Sequence, residues 1–136
     1  MEKASRLIAD MHSAGIYHRD LKASNILIRR DGEMVLADLD GAQIKSSLSR
    51  TQRVRDLARF LSSLVPLANA ADRLFFIKSY TAAFGPKDDL KQLACDVAGR
   101  EIEILSSKRL KNKYGPGHYR YIDAYLRRQR RLLARR

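Results

Sequence analysis

A single cysteine, Cys95, among 136 residues excludes an internal disulfide and gives no support to an oxidising compartment. Its flanks, "QLACDVA", read as a helical core position rather than a reactive thiol. No apolar run approaches the roughly 18 residues that a bilayer span needs. The opening "MEKASRLIADMHSAG" is amphipathic and lacks the apolar core of a signal peptide. A soluble, cytoplasmic chain is the expectation, with rest on a membrane surface left open. His12 and His118 have no partners at metal-ligand spacing, which argues against zinc. Acids are scarce at one end: from Ser106 to Arg136 eleven Lys or Arg face the lone Asp123, whereas residues 1–105 are nearly balanced. The excess of base therefore belongs to the C-terminal segment and points to an anionic partner such as a phosphorylated substrate, acidic headgroups or nucleic acid.

What is present is enough for one compact domain. Hydrophobic residues make up 45% of the chain, which is not the composition of a disordered protein. The expected organisation is a single domain over 1–136, with residues 1–65, a helical body at 66–105 and a basic helical segment at 106–136. Ala4, Leu7, Ile8, Met11 and Ala14 recur at helical spacing, with Gly15 as the stop. "SNILIRRDGEMVLADLD" reads as a hairpin turning on Asp31-Gly32. Val54, Leu57, Ala58, Leu61, Leu64 and Val65 form a helical stripe ending at Pro66. A helix follows over "ANAADRLFFIKSYTAAFG", with Leu74, Phe75, Ile77 and Phe84 apolar. Another covers "DDLKQLACDVAGREIEIL", with Gly99 as a candidate break, and a last helix bears Ile122, Tyr125, Leu126, Leu132 and Leu133. No internal repeat is visible. A lone hairpin cannot form a sheet domain, so the fold class is mainly α with a short β-hairpin laid on a helical body.

The stretch "HRDLKASN", His18 to Asn25, crowds an acid, two bases and an amide into a helix-to-strand connection. Such a stretch is either a solvated polar loop or the working part of a phosphotransfer site. It matches the protein-kinase catalytic-loop pattern H-R-D-L-x-x-x-N at every defined position. "LADLDG" follows, placing Asp38 eighteen residues beyond Asp20. The intervening hairpin folds the chain back, so the two carboxylates can face one cleft. Phosphoryl transfer needs metal ions on phosphate oxygens and a carboxylate orienting the attacking hydroxyl, and a carboxylate with an amide offers the hard oxygens that suit Mg²⁺. Two departures narrow the match. An extra acid, Asp40, stands before Gly41 and is either a second ligand or a turn residue. The short segment from Asp38 to "RVRDLARFLSSL" holds no A-P-E and no room for a long activation segment.

Together "MHSAGIYHRDLKASNILI", "LADLDGAQI" and "RVRDLARFLSSL" resemble the C-terminal lobe of the lipopolysaccharide kinase family, the Kdo and heptose kinases of Gram-negative bacteria, over roughly residues 5–65. The resemblance implies a protein-kinase-like fold and ATP- and Mg²⁺-dependent phosphorylation of a lipopolysaccharide-core sugar at the cytoplasmic face of the inner membrane. It implies that Asp20 aligns and deprotonates the acceptor hydroxyl and that Lys22 offers a charge to the transferred phosphate. It further implies that Asn25 and Asp38 hold Mg²⁺, that Leu27 floors the adenine pocket and that Asp56 braces the loop backbone. His18 reads as a packed, hydrogen-bonded histidine and Arg19 as a bracing cation.

The glycine-rich loop and paired lysine of an N-lobe have no counterpart here, since none of the seven glycines falls in a G-x-G-x-x-G pattern. The expectation is a C-lobe alone, weakly active or inactive by itself. Two alternatives stand beside the enzyme reading. Arg127, Arg128, Arg130, Arg131, Arg135 and Arg136 opposite Leu126, Leu132 and Leu133 suit either a solvated helix face or an interfacial helix on an anionic membrane or lipopolysaccharide. RNA binding is the remaining option, disfavoured because no nucleic-acid motif is present.

Overall fold

The computed structural model describes residues 1–65, 67–85, 87–107 and 122–128, together with Arg131 and Ala134. Its elements run α1 (Glu2–Ser13), β1 (Ile16–Tyr17), a 3₁₀ turn (Ala23–Asn25), β2 (Ile26–Ile28), β3 (Met34–Leu36), β4 (Gln43–Ile44), α2 (Arg50–Ser63), α3 (Ala70–Phe84) and α4 (Leu90–Ser106). Residues 122–128 are helical. The loop around "YGPGH", His118 and the terminal Leu132, Leu133, Arg130, Arg135 and Arg136 lie outside the described residues.

The helices start where side chains can satisfy their orphan backbone donors. Ser49 and Gln52 form a reciprocal capping box on α2, Asn69 and Asp72 form one on α3, and Asp89 accepts from Gln92 N on α4. The main core gathers α1 through Ile8 and Met11, α2 through Leu57 and Leu61, α3 through Phe76, Ile77 and Tyr80, and α4 through Leu93 and Val97, with Leu21 from the loop between β1 and β2. Burying each large apolar side chain contributes about 1.5–3 kcal/mol, so this cluster is what holds the loops in place. α1 packs chiefly on α3, and α2 on α4.

Several sequence expectations change here. The hairpin β2–β3 pairs Ile26 with Leu36 and Ile28 with Met34, but its turn is the three-residue Arg30-Asp31-Gly32 rather than two residues. Gly32 N donates to Arg29 O at 2.9 Å and Arg29 N to Glu33 O at 2.8 Å, with Gly32 left-handed at φ 81°. A second ladder, absent from the sequence reading, pairs β1 with β4, Ile16 opposite Ile44. α4 passes through Gly99 unbroken, because Leu93, Val97, Glu101 and Leu105 recur every four residues and are all buried. On α3, Leu74 and Phe75 are exposed while Phe76 and Tyr80 are fully buried. Cys95 is half-buried rather than core. Leu126 sits with Ile122, Val65 and Leu105 in a second apolar cluster; it is therefore spent on internal packing and not offered to a membrane. No described helix is long and apolar enough to cross a membrane.

Candidate active site

The site is built on one buried carboxylate. Asp56, on α2, is fully excluded from solvent. Its Oδ2 accepts from His18 N at 2.8 Å and its Oδ1 from Arg19 N at 3.0 Å. A third contact comes from His12 Nε2 at 3.3 Å, while His12 Nδ1 lies 2.9 Å from the Tyr80 hydroxyl. Burial drives the His12 imidazole below its ordinary pKa, against the opposing pull of Asp56. A neutral ring then donates from Nε2 to Asp56 and accepts from Tyr80 at Nδ1. Burial likewise pushes the Tyr80 phenol up to about 12, which keeps its proton in place. The loop backbone is thus tied through Asp56 to three helices at once.

Arg19 and Asp38 are the only non-glycine residues with positive φ among the described residues, at 70° and 58°. Such a conformation costs of order 1–3 kcal/mol and persists where surrounding contacts impose it. At Arg19 the imposing contact is Asp56. At Asp38 it is the segment before: His18 Nε2 donates to Ala37 O at 3.1 Å and Ala37 N donates to Asn25 O at 2.9 Å. The turn at Asp38 aims its carboxylate back at the loop, where Asn25 Nδ2 lies 3.4 Å from Asp38 Oδ2 and 3.0 Å from Asp20 O. Asn25 is buried and Asp38 exposed.

The Asp20 carboxylate is half-exposed and faces cations. Lys22 Nζ lies 2.5 Å from its Oδ2 and Arg59, on α2, 3.8 Å from its Oδ1. Leu27 points outward, 51% exposed, with Ile28 beside it at 68%, so the surface that the resemblance makes an adenine floor is open to solvent. Asp40 is exposed in the turn closed by Ala42 N donating to Leu39 O at 2.9 Å. A cleft of about 770 Å³ is lined by Tyr17, His18, Arg19, Asp20, Asp38, Gly41, Gln43, Gln52, Arg55, Arg59 and Arg100. The structure therefore brings Asp20, Asn25 and Asp38 to one place, with Asp38 meeting Asn25 through side chains and Asp20 meeting it through its backbone oxygen.

The donor set suits a hard cation. Among the described residues no three His, Cys, Asp or Glu cluster as a self-sufficient metal site, but Mg²⁺ commonly takes one or two carboxylates and fills the rest with phosphate oxygens and water. Asp38 and the side-chain oxygen of Asn25 fit that partial requirement. Sequence reading overlooked His12 and Tyr80 as parts of the Asp56 network, and Arg55, Arg59 and Arg100 as walls of the cleft. Only the Arg55–Arg59 spacing of four on one helix was a visible signal.

Known proteins resemble this chain in fold and in sequence. A solved structure described as WaaP in complex with acyl carrier protein shares the fold, with a TM-score of 0.59 at 24% identity over 84% of this chain and 48% of that one. The mostly helical body with its two small ladders thus shares its fold with part of that structure. The model of the lipopolysaccharide kinase (Kdo/WaaP) family matches residues 1–85, and the chain belongs to that family. It is 42% identical over 66 residues to the 3-deoxy-D-manno-octulosonic acid kinase of Stenotrophomonas maltophilia, 48% of this chain and 26% of that protein. It is 27% identical over 129 residues to the lipopolysaccharide core heptose(I) kinase WaaP of Pseudomonas aeruginosa, 85% of this chain and 46% of that protein. The chain spans less than half the length of these relatives.

Proposed function

We propose that this chain is the C-terminal, catalytic-loop lobe of an ATP-dependent phosphotransferase acting on a hydroxyl of a lipopolysaccharide-core sugar. The observation that carries the reading is the meeting of Asn25 and Asp38 across the hairpin, 3.4 Å apart, beside a loop whose backbone Asp56 fixes. In this reading Asp20 orients the acceptor hydroxyl and takes its proton as the new P–O bond forms. Lys22 and Arg59 hold the Asp20 carboxylate in the free protein, and Lys22 turns to the transferred phosphoryl oxygens when substrate arrives. Asn25 and Asp38 would hold Mg²⁺, which when bound would neutralise charge on the phosphates. Leu27 would floor the adenine site. His18 and Arg19 keep the loop and the Asp38 turn in register.

The glycine loop and lysine clamp of a kinase N-lobe are not among the 136 residues. Each preorganised contact of that kind contributes about 3 kcal/mol to lowering the barrier, so the chain alone turns over slowly or not at all. The working location in this reading is the cytoplasmic face of the inner membrane, where the exposed Arg127, Arg128 and Arg131 meet anionic lipid. The test supplies radiolabelled ATP, Mg²⁺ and lipid A–core acceptor to the chain, with any upstream coding sequence restored, and to its Asp38→Ala variant. Incorporation should fall at least about a hundredfold in the variant; equal incorporation by both overturns the metal assignment.

A further inference from the structure

Four arginines converge on the cleft beside Asp20: Arg19 from the loop, Arg55 and Arg59 from α2, and Arg100 from α4. Against them the cleft sets only the carboxylates of Asp20 and Asp38. Other arginines of α2 are already neutralised. Arg53 is buried against Asp88, and Arg50 reaches both Asp88 and Asp96. Arg55 has no acidic partner among the described residues, Arg59 is held only loosely at 3.8 Å, and Arg100 pairs with an exposed glutamate, Glu103, one turn on. Gln52, Arg55 and Arg59 follow the i, i+3, i+7 spacing that keeps them on one face of α2, and that face is the wall of the cleft. Of the side chains placed for ATP and its metal in the functional reading, Asp38 lines the cleft, whereas Lys22, Asn25 and Leu27 do not. The arginine wall therefore shares its cleft with Asp20 and Asp38 but not with Lys22, Asn25 or Leu27.

We propose that Arg55, Arg59 and Arg100 form an acceptor subsite that binds an oxyanion, a carboxylate or a phosphate monoester, carried on the sugar whose hydroxyl faces Asp20. This rests on the phosphotransferase reading for the identity of Asp20's partner, but the anion site itself does not. Guanidinium groups on two different helices can grip the two or three oxygens of one such group from two directions. The grip fixes how the sugar lies in the cleft, and so which hydroxyl Asp20 meets. Arg59 has a further part. An oxyanion in the cleft competes with Asp20 for its guanidinium, so acceptor binding loosens one of the two ion pairs that hold the carboxylate in the free protein.

The experiment is calorimetric titration of the chain, without nucleotide or metal, with 3-deoxy-D-manno-octulosonic acid, glucose 6-phosphate and glucose at low and at physiological salt. The anionic sugars should bind and glucose should not, with affinity falling as salt rises. Arg55→Gln with Arg100→Gln should weaken anion binding by about tenfold or more, and the corresponding double lysine variant should recover part of the loss. The preferred anion, carboxylate or phosphate, identifies the group read. Both arginines are at least partly exposed, so both variants should keep the melting curve of the parent. Binding equal in parent and double glutamine variant, or no anion binding by the parent even at low salt, overturns the subsite. Asp38→Ala separates the two claims. It removes one of the cleft's two carboxylates and should not weaken anion binding, so failure of the phosphotransfer test leaves the subsite standing, and failure here leaves the phosphotransfer reading standing.

Discussion

Asp56 and Asp38 are both aspartates of the site, yet their surroundings assign them opposite kinds of consequence. Asp56 is sealed in and accepts two backbone N–H groups and a histidine N–H. Asp56→Asn retains the shape but replaces one accepting oxygen by an NH₂ that faces donors. At least one buried N–H is then left without a partner, at a cost of about 3 kcal/mol once the lost charge assistance is included. Urea unfolding should report that loss as a lower midpoint. Asp38 is exposed, and asparagine tolerates its left-handed φ. Asp38→Asn should leave the unfolding midpoint unchanged while removing phosphate transfer. A variant pair with the reverse pattern would contradict this division between the residue that holds the loop and the residue that serves the chemistry.

At the scale of elements, what could be read in the sequence was what repeats. The stripes on α1 and α2 are periodic, β2 and β3 are short apolar runs on either side of Asp31-Gly32, and the spacing from Asp20 to Asp38 places two motifs across a hairpin. The apolar crowding of "RLFFI" on α3 defeats periodicity, because nearly any face could be buried; packing against α1 selects Phe76, Ile77 and Tyr80. The β1–β4 ladder has two residues a side and so no period at all. It exists because Lys45 N donates to Gly15 O at 2.9 Å, a bond between positions thirty residues apart. The His12–Tyr80 and His12–Asp56 contacts were hidden for the same reason, since each depends on helices brought together only in the fold. Gly15 is where this element can be tested. It has φ 76°, and a Cβ there would lie 2.0 Å from Lys45 O. Gly15→Ala combines left-handed strain with a collision against backbone that cannot swing aside, and should cost about 2–4 kcal/mol. The same substitution at Gly99, a helical position where a Cβ meets nothing within 4 Å, should instead stabilise by about 0.5–1 kcal/mol. Thermal unfolding of the two variants checks the contrast.

Across the whole molecule, a second coupled group of charges, outside the cleft's lining, lies where α3, α4 and the helix at 122–128 meet. Arg73 donates to Leu61 O at 3.0 Å and to the carboxylate of Glu101, and the Tyr125 hydroxyl donates to the other Glu101 oxygen at 2.9 Å. The Arg73 guanidinium also lies over the Tyr125 ring, 4.6 Å from its centroid. Burial pushes Glu101 up to about 7, against Arg73 and Tyr125, which both favour the ionised form. Over the window between its ordinary value of 4.5 and about 7 the folded protein holds a proton that the unfolded chain has released. The unfolded state binds fewer protons there, so this group makes stability fall as pH rises across the window. His12 acts the other way: its lowered pKa means that the unfolded chain takes up a proton first, so stability falls as pH drops below about 6.5. The two slopes oppose each other between about 4.5 and 6.5, and only the Glu101 slope remains from there to about 7. Glu101→Gln cannot titrate, so unfolding measured at intervals from pH 5 to 8 should lose the decline near neutrality and keep the acid-side loss due to His12. The variant's amide resembles the protonated carboxyl, so it should lie close to the parent near pH 5 and lose less stability than the parent toward pH 8. A variant whose pH profile parallels the parent's would place the neutral-range titration elsewhere than at the joint between the basic C-terminal helix and the kinase body.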